Sequence, residues 1–235
     1  MSDAVGTPSE YSPGEDSQLL LLERVYQEIK CRIVYGRYKP GMALSESVLA
    51  RVNHSSRTPV REALSRLMEE GYVERSGKRG YEVAAVTLAG IRQTFEVRRV
   101  LEVMAAGLAA ERSDLASVAR MRTLADYPTL EQNAESYRAR LTVNDRFHIA
   151  VAQGADNGLL VDLVRRCVLQ HDRVLSLSDR FPVLRSSVPQ HHAIVDAIER
   201  RDADGARQAM REHLDASNAL VMDWLIEGRI RGISI

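Results

Sequence analysis

The sequence predicts a mainly α-helical protein in two parts: an N-terminal winged helix-turn-helix followed by an all-α antiparallel helical bundle. Apolar residues recur at helical spacing over most of the chain. Two short β-type runs flank Ser76-Gly77-Lys78-Arg79-Gly80, and beyond Thr87 the pattern is helical throughout. The expected organisation is a tail over 1–16, a winged helix over 17–86 and a bundle over 87–235. With 235 residues, 45% of them hydrophobic and 27% charged, the chain can bury a sizeable core. Net charge is zero, so no global field draws it to nucleic acid or membrane. Locally the balance differs: residues 18–86 carry 12 Lys/Arg against 8 Asp/Glu, whereas residues 1–17 hold four acids and no base.

Residues 1–16 are rich in Ser, Pro, Gly and acids, without periodicity, as a mobile tail would be. A helix over about 17–35 sets Leu21, Val25, Ile29 and Ile33 four apart, and Gly36 with Lys39-Pro40-Gly41 stops it. Ser45 caps a short helix over 46–52, expected to bury Val48, Leu49 and Val52. After the turn Asn53-His54-Ser55, a third helix runs to Gly71. Its start is the stretch Ser55-Ser56-Arg57-Thr58-Pro59-Val60-Arg61-Glu62-Ala63-Leu64, with Ser56 at the N-cap and Pro59 in the first turn. Val60, Ala63, Leu64, Leu67 and Met68 form its buried face, and Arg57 and Arg61 project together from the other. Cations at the positive end of a helix dipole do not serve stability, so an external anion must complete the arrangement. Tyr72–Arg75 and Tyr81–Val83 then form a hairpin whose tip carries Lys78 and Arg79.

Helix, helix, turn, helix and a basic-tipped hairpin imply that the partner is double-stranded DNA. The third helix would enter the major groove, where Arg57 or Arg61 can offer a bidentate fork to guanine O6 and N7. Ser56 and Thr58 suit phosphate or base contacts, and Gly77, Lys78 and Arg79 suit a backbone or minor-groove contact from the wing. A winged helix that binds protein is the alternative; cations at both the helix start and the wing favour DNA. The stretch Pro40-Gly41 … Leu44-Ser45-Glu46 … Leu49-Ala50 … Ser56–Leu64 … Leu67 … Glu70-Gly71 resembles the DNA-binding domain of the GntR family of bacterial transcription regulators. That resemblance implies a homodimer on a pseudo-palindromic operator, with Arg57 and Arg61 at the bases. The sequence departs from the family at Asn53-His54-Ser55, where a Leu-Gly-Val type turn is usual.

In the second part, the helix over 88–112 has one stripe of Val97, Leu101, Met104 and Leu108 and another of Ile91, Phe95, Arg98, Glu102, Ala105 and Ala109. Two apolar stripes predict a largely buried helix, with Arg98 and Glu102 in an inward-facing row and Arg98 in a pocket role. An exposed Arg/Glu pair forming a weak surface bridge is the alternative. Four further helices show stripes interrupted by polar residues. They read Tyr137, Leu141, Asn144, His148, Val151 over 134–153, and Leu160, Leu163, Cys167, His171, Val174 over 159–178. The last two read His191, Ile194, Val195, Ile198 over 187–200, and Ala206, Met210, His213, Ser217, Leu220, Trp224 over 203–226. A single inward histidine is most simply a hydrogen-bonded core residue. Several from different helices of one bundle point to a shared metal site, and neutral imidazoles suit zinc or nickel better than calcium or magnesium.

Glu96–Glu102, Phe147-His148, His191-His192-Ala193-Ile194 and Met210–Leu214 are similar to the FCD effector domain of the FadR-type GntR regulators. In metal-binding members an Asp four residues before the first His, plus three His, hold a divalent metal. Carried over, the ligands are Asn144, His148, His191 and His213, and an arginine matching Arg98 meets the effector's carboxylate. Asn144 replaces the usual Asp, and a neutral carbonyl oxygen lowers the expected affinity. Glu102 and His171 are expected beside Arg98 in the effector pocket. The implied protein is a ligand-responsive regulator, a repressor by default, controlled by a small carboxylate or sugar acid. A metal-dependent enzyme using the three histidines, or a regulator with a purely structural metal, are the alternatives. Cys31 and Cys167 read as reduced thiols, and the apolar run Leu19–Leu22 is too short to span a membrane, so the expected location is the cytoplasm.

Overall fold

The computed structural model describes residues 13–77, 80–126, 134–178, 187–230 and 232–234. The expected tail over residues 1–12 and the wing-tip residues Lys78 and Arg79 lie outside the described residues. Two compact units emerge: one runs to Ile33 and resumes over Pro40–Ala84, and the other comprises Val34–Lys39 and Ala85–Ile235.

The first unit is built from α1 (Pro13–Val34), β1 (Ala43–Leu44), α2 (Glu46–Val52), α3 (Arg57–Glu69), β2 (Val73–Ser76) and β3 (Gly80–Val83). Helix α1 begins at Pro13, inside the stretch expected to be tail. Val25, Ile29 and Ile33 of α1, Leu49 of α2, and Val60, Ala63, Leu64 and Leu67 of α3 are all buried, as their spacing requires. Val48 and Val52 are exposed instead, at 45% and 40%, because the seven-residue α2 turns only Leu49 and Ala50 inward. A buried polar knot ties α1 to the end of α3: Lys30 Nζ donates to Glu70 at 2.5 Å and to the Tyr26 hydroxyl at 2.7 Å, and that hydroxyl donates to Glu70 at 2.6 Å. The sheet has the order β1-β3-β2, with Arg75 opposite Tyr81 and Leu44 opposite Tyr81 on the other side. In the turn between α2 and α3, His54 adopts φ 49°, a left-handed conformation that glycine takes without strain.

The second unit contains β4 (Val86–Thr87), α4 (Leu88–Arg112), α5 (Leu115–Ala125), α6 (Ala134–Gly154), α7 (Gly158–Leu175), α8 (Ser187–Glu199), α9 (Ala203–Ile226) and β5 (Ile233–Ser234). Side chains of Thr87, Asp114, Asn157 and Asp202 accept from backbone N–H groups in the first turns of α4, α5, α7 and α9. Helix α4 lies at the centre, packed on α6, α7, α8 and α9. One apolar cluster joins Ala106 and Ala109 to Phe147, Ile194, Ile198, Met210 and Leu214, and another joins Ile91 and Phe95 to Leu141, Val174, Val221 and Trp224. The two α4 stripes differ: Ile91, Phe95, Arg98, Glu102, Ala105 and Ala109 are buried, whereas in the other Val97 and Met104 are 47% and 44% exposed and Leu101 and Leu108 are partly buried against a third apolar cluster.

Val34, the last residue of α1, and residues 35–39 after it belong to this second unit. The Tyr35 hydroxyl donates to Asp145 at 2.6 Å, and Arg138 Nε donates to the Tyr35 carbonyl at 2.9 Å. Gly36 has φ 69°, and a Cβ there would lie 2.9 Å from the Ser176 carbonyl, so only glycine fits.

Candidate functional site

In the first unit the expected cations gather at an open groove. Arg57 is the first residue of α3, Ser56 is its N-cap with an extended backbone, and Ser56, Arg57, Thr58 and Arg61 are all exposed. Ser56 makes no capping hydrogen bond through its side chain, which leaves the first turn of α3 without that internal acceptor. Arg57 and Arg61 line a groove of about 740 Å³ with Glu46, Arg75, Gly80 and Tyr81. Arg61 does not stand alone there: its Nε and Nη2 donate to the two carboxylate oxygens of Glu46 at 3.1 and 2.9 Å. This pair holds the Glu46 carboxyl below its ordinary range. Arg75 was not singled out by the sequence pattern; it projects from β2 over the Tyr81 ring, 4.9 Å from the centroid. Gly77 begins the wing tip at φ 61°.

In the second unit three of the four stripe histidines converge. His148 of α6, His191 of α8 and His213 of α9 are buried, and one ligand nitrogen from each lies within 4.8 Å of the others. His148 Nε2 and His213 Nε2 are 3.3 Å apart. Two nitrogens at tetrahedral angle about an ion, each about 2.0–2.1 Å from it, would be about 3.3 Å apart. Burial pushes the His191 and His213 imidazoles well below the ordinary histidine value, and the neighbouring histidines push the same way. They are therefore neutral, the form a metal requires. His191 stacks on Phe147 at 3.9 Å between centroids, and His213 Nδ1 sits 3.0 Å from Gln190 Oε1. The donor set fits a divalent transition metal.

Beside the cluster is a cavity of about 160 Å³ whose lining includes Arg98, Asn144, His148, His171, Ser187, Gln190, His213 and Ser217. Asn144 stands one turn before His148 on α6 and faces the same space. His171 Nε2 lies 3.2 Å from the Ser217 hydroxyl, with its ring edge-on to Phe95. Burial first, and the Arg98 charge second, keep His171 neutral. Arg98 is 1% exposed; its Nε donates to Glu102 Oε1 at 2.6 Å, and its Nη1 has no hydrogen-bond partner. Glu102 does not line the cavity, contrary to expectation. Its second oxygen is 2.5 Å from His148 Nδ1, so both carboxylate oxygens face protein groups. Burial opposes its charge, yet Arg98 and His148 outweigh burial and hold it well below the usual carboxylate range.

A second polar cluster lies on α6 and α7. Asp145 faces Asp172, a fully buried residue of α7, and accepts from Tyr35. Burial raises both carboxyls, and the neighbouring Asp145 charge raises Asp172 further. Helical spacing places Asp145 off the stripe of Asn144 and His148, which is correct, but gives no sign that α7 supplies an acid to meet it.

The chain's family follows from comparison with known proteins. Residues 21–83 match the model for "Bacterial regulatory proteins, gntR family" and residues 93–216, more than half of the chain, match the FCD domain. A similar protein is the HTH-type transcriptional repressor RspR of Escherichia coli, 29% identical over 202 residues, covering 82% of this chain and 85% of that protein. The HTH-type transcriptional regulator McbR of the same species is 25% identical over 214 residues, covering 88% and 96%. Among solved structures, E. coli McbR/YncC aligns at a TM-score of 0.76 with 23% identity, covering 87% of this chain and 98% of that one. A GntR regulator from Rhodococcus sp. RHA1 aligns at 0.70 with 27% identity, covering 86% and 97%. The chain belongs to the GntR family of helix-turn-helix transcriptional regulators, which are not enzymes, in the branch that carries a C-terminal FCD domain.

Proposed function

We propose that this regulator is a homodimeric repressor whose grip on a pseudo-palindromic operator changes when a small organic acid enters the α4–α6–α7–α8–α9 cavity beside a divalent metal, zinc or nickel. The observation that carries the reading is the juxtaposition in one cavity of His148 and His213, their Nε2 atoms 3.3 Å apart, with the unpartnered Nη1 of Arg98. An unpartnered guanidinium N–H in so buried a place is costly, and a ligand carboxylate satisfies it. A cavity of about 160 Å³ admits only a small molecule, and Ser187, Ser217 and Gln190 in its lining suit hydroxyl groups. His148, His191, His213 and Asn144 would hold the metal, which supplies a second positive centre for the same ligand. His171 would complete the wall.

On the DNA side, Arg57 and Arg61 read bases, Ser56 and Thr58 meet phosphate or base edges, and Gly77, Lys78 and Arg79 serve as the wing contact. Repression follows the nature of the similar repressor RspR. Pairing of two chains is favoured by exposed apolar side chains on α4 and α7, Val97, Val100, Met104, Leu159 and Leu163, which a monomer would leave in water. A ligand shifts operator affinity only through different affinities for the two arrangements of the DNA-binding heads.

Mobility shift with DNA from upstream of the neighbouring operon tests the reading. Arg57→Ala and Arg61→Ala are each expected to weaken specific binding about 5- to 150-fold and to relax the preference at one base position. Sequence-independent binding, or unchanged specific binding by the double variant, contradicts it.

A further inference from the structure

The buried ion pair of α4 is placed between the two halves of the ligand site, and its acid touches both. Arg98 Nε donates to Glu102 Oε1 at 2.6 Å, and Glu102 Oε2 is 2.5 Å from His148 Nδ1. On the far side of that imidazole, Nε2 faces His213 Nε2 at 3.3 Å, while His213 Nδ1 sits 3.0 Å from Gln190 Oε1. We propose that Glu102 is a positioning residue, not a ligand contact: it fixes the Nδ1–H tautomer of His148, so that Nε2 is the free ligating nitrogen, and it orients Arg98 so that Nη1 points to the ligand. The proposal rests on the metal and carboxylate reading above and assigns Glu102 a role within it.

Glu102 Oε2 and His148 Nδ1 lie 2.5 Å apart without aligned hydrogen-bond geometry. A carboxylate is an acceptor only and two lone pairs this close would repel, so that nitrogen carries the proton. Gln190 Oε1 makes the same demand of His213 Nδ1. With both protons on the outer nitrogens, two Nε2 lone pairs face each other across 3.3 Å, an arrangement that a cation between them satisfies. Glu102 is 1% exposed and does not line the cavity, so a ligand does not reach it. Because one carboxylate orients both the metal-ligating ring and the anion-binding guanidinium, disturbing it should alter both affinities, and any coupling between the two ligands is reciprocal.

The test uses the full chain, with Zn²⁺ alone as the probe. Long-range ¹H–¹⁵N correlation spectra of the metal-free protein read the tautomer of His148, and competition with a chromophoric chelator reads Zn²⁺ affinity. Glu102→Gln keeps an acceptor, whereas Arg98→Met with Glu102→Leu removes both buried charges together and so avoids leaving one unpaired. The expected results are an Nδ1–H tautomer for His148 in the wild type and an affinity about 10- to 100-fold weaker in the paired variant. Glu102→Gln should fall between the two. A merely structural role would lower the melting temperature without moving the tautomer. A wild-type His148 with its proton on Nε2, or an unchanged affinity in the paired variant, overturns the proposal. If the wild type takes up no Zn²⁺, the metal reading fails instead, and the tautomer measured without metal still decides the role of Glu102.

Discussion

The two units carry their functional groups in opposite ways. In the first, Ser56, Arg57, Thr58 and Arg61 stand exposed at the start of α3, over a core of Val60, Ala63, Leu64 and Leu67. In the second, Arg98, Glu102, Asn144, His148, His171, His191 and His213 are all buried among apolar helices. Exposed cations cost the fold little, and an exposed pair such as Arg61–Glu46 adds little to it. Buried charges are expensive unless paired: Arg98 is paired with Glu102, and burial holds His171, His191 and His213 neutral. The difference teaches that exposed groups of the first unit can change at little cost to its core, whereas the buried groups of the bundle are part of its packing.

Changes at the histidines proposed to hold the metal should have the largest effect. His213→Ala is expected to reduce Zn²⁺ affinity more than the 10- to 100-fold ordinary for outer-shell partners, while leaving operator binding by the metal-free chain unchanged. Asn144→Asp, which restores a charged oxygen one turn before His148, should raise affinity. Equilibrium competition with a chelator reads both, and a His213→Ala chain that binds Zn²⁺ as the wild type does would break the contrast.

Acid should separate the units next. His171, His191 and His213 are held neutral, below the ordinary value of 6.5, chiefly by burial. Since the unfolded chain takes up protons near 6.5 that the fold refuses, their contribution is present above that pH and is lost as pH falls below it. The raised Asp172 works in the other sense, contributing below 3.8 and losing that contribution as pH rises. In the first unit, Glu70 is held low by Lys30 and Tyr26 against the opposing effect of burial, so its contribution persists above 4.5 and is lost only in the carboxylate range. The metal-free second unit should therefore lose stability first, between about pH 6.5 and 4.5. Fluorescence of Trp224, the single tryptophan and a buried residue of α9, reports that unit. A flat profile over this range would remove the distinction.

The smallest effect belongs to the turn of the first unit. His54→Gly relieves a left-handed conformation at an exposed site and should stabilise that unit by about 1 kcal/mol at most, less the extra entropy of glycine in the unfolded chain. Chemical denaturation followed by far-ultraviolet circular dichroism checks this, and no change in operator affinity is expected.

Legibility in the sequence follows the same division. The α3 start, the hairpin and the long helices are local patterns, and helices α4 and α9 match their expected bounds at Leu88–Arg112 and Ala203–Ile226. Which residues share a helix face is also local, so the inward direction of His148, His191 and His213 could be read. What could not be read depends on other elements. Asp172 meets Asp145 only because α7 packs on α6, and Tyr35 joins them only because residues 34–39 belong to the second unit. Glu102 faces inward as its stripe predicts, yet only packing decides that it meets His148 behind the cavity wall instead of the ligand within. Val97 and Met104 share a stripe with the partly buried Leu101 and Leu108, and sequence pattern alone does not separate the covered from the exposed members of one apolar stripe. Helix α5, capped by Asp114, is short and was not separated from its neighbours by pattern alone.

The central claim is that the Arg98 cavity with its histidine cluster receives a small carboxylate beside a metal. Its most direct test is the melting temperature of the full chain, followed through Trp224, with a panel of small hydroxycarboxylates and sugar acids, with and without Zn²⁺. The account predicts that at least one acid raises the melting temperature when Zn²⁺ is present, and that chelation or Arg98→Met abolishes the increment. An acid whose increment survives both treatments would place the ligand elsewhere and contradict the account.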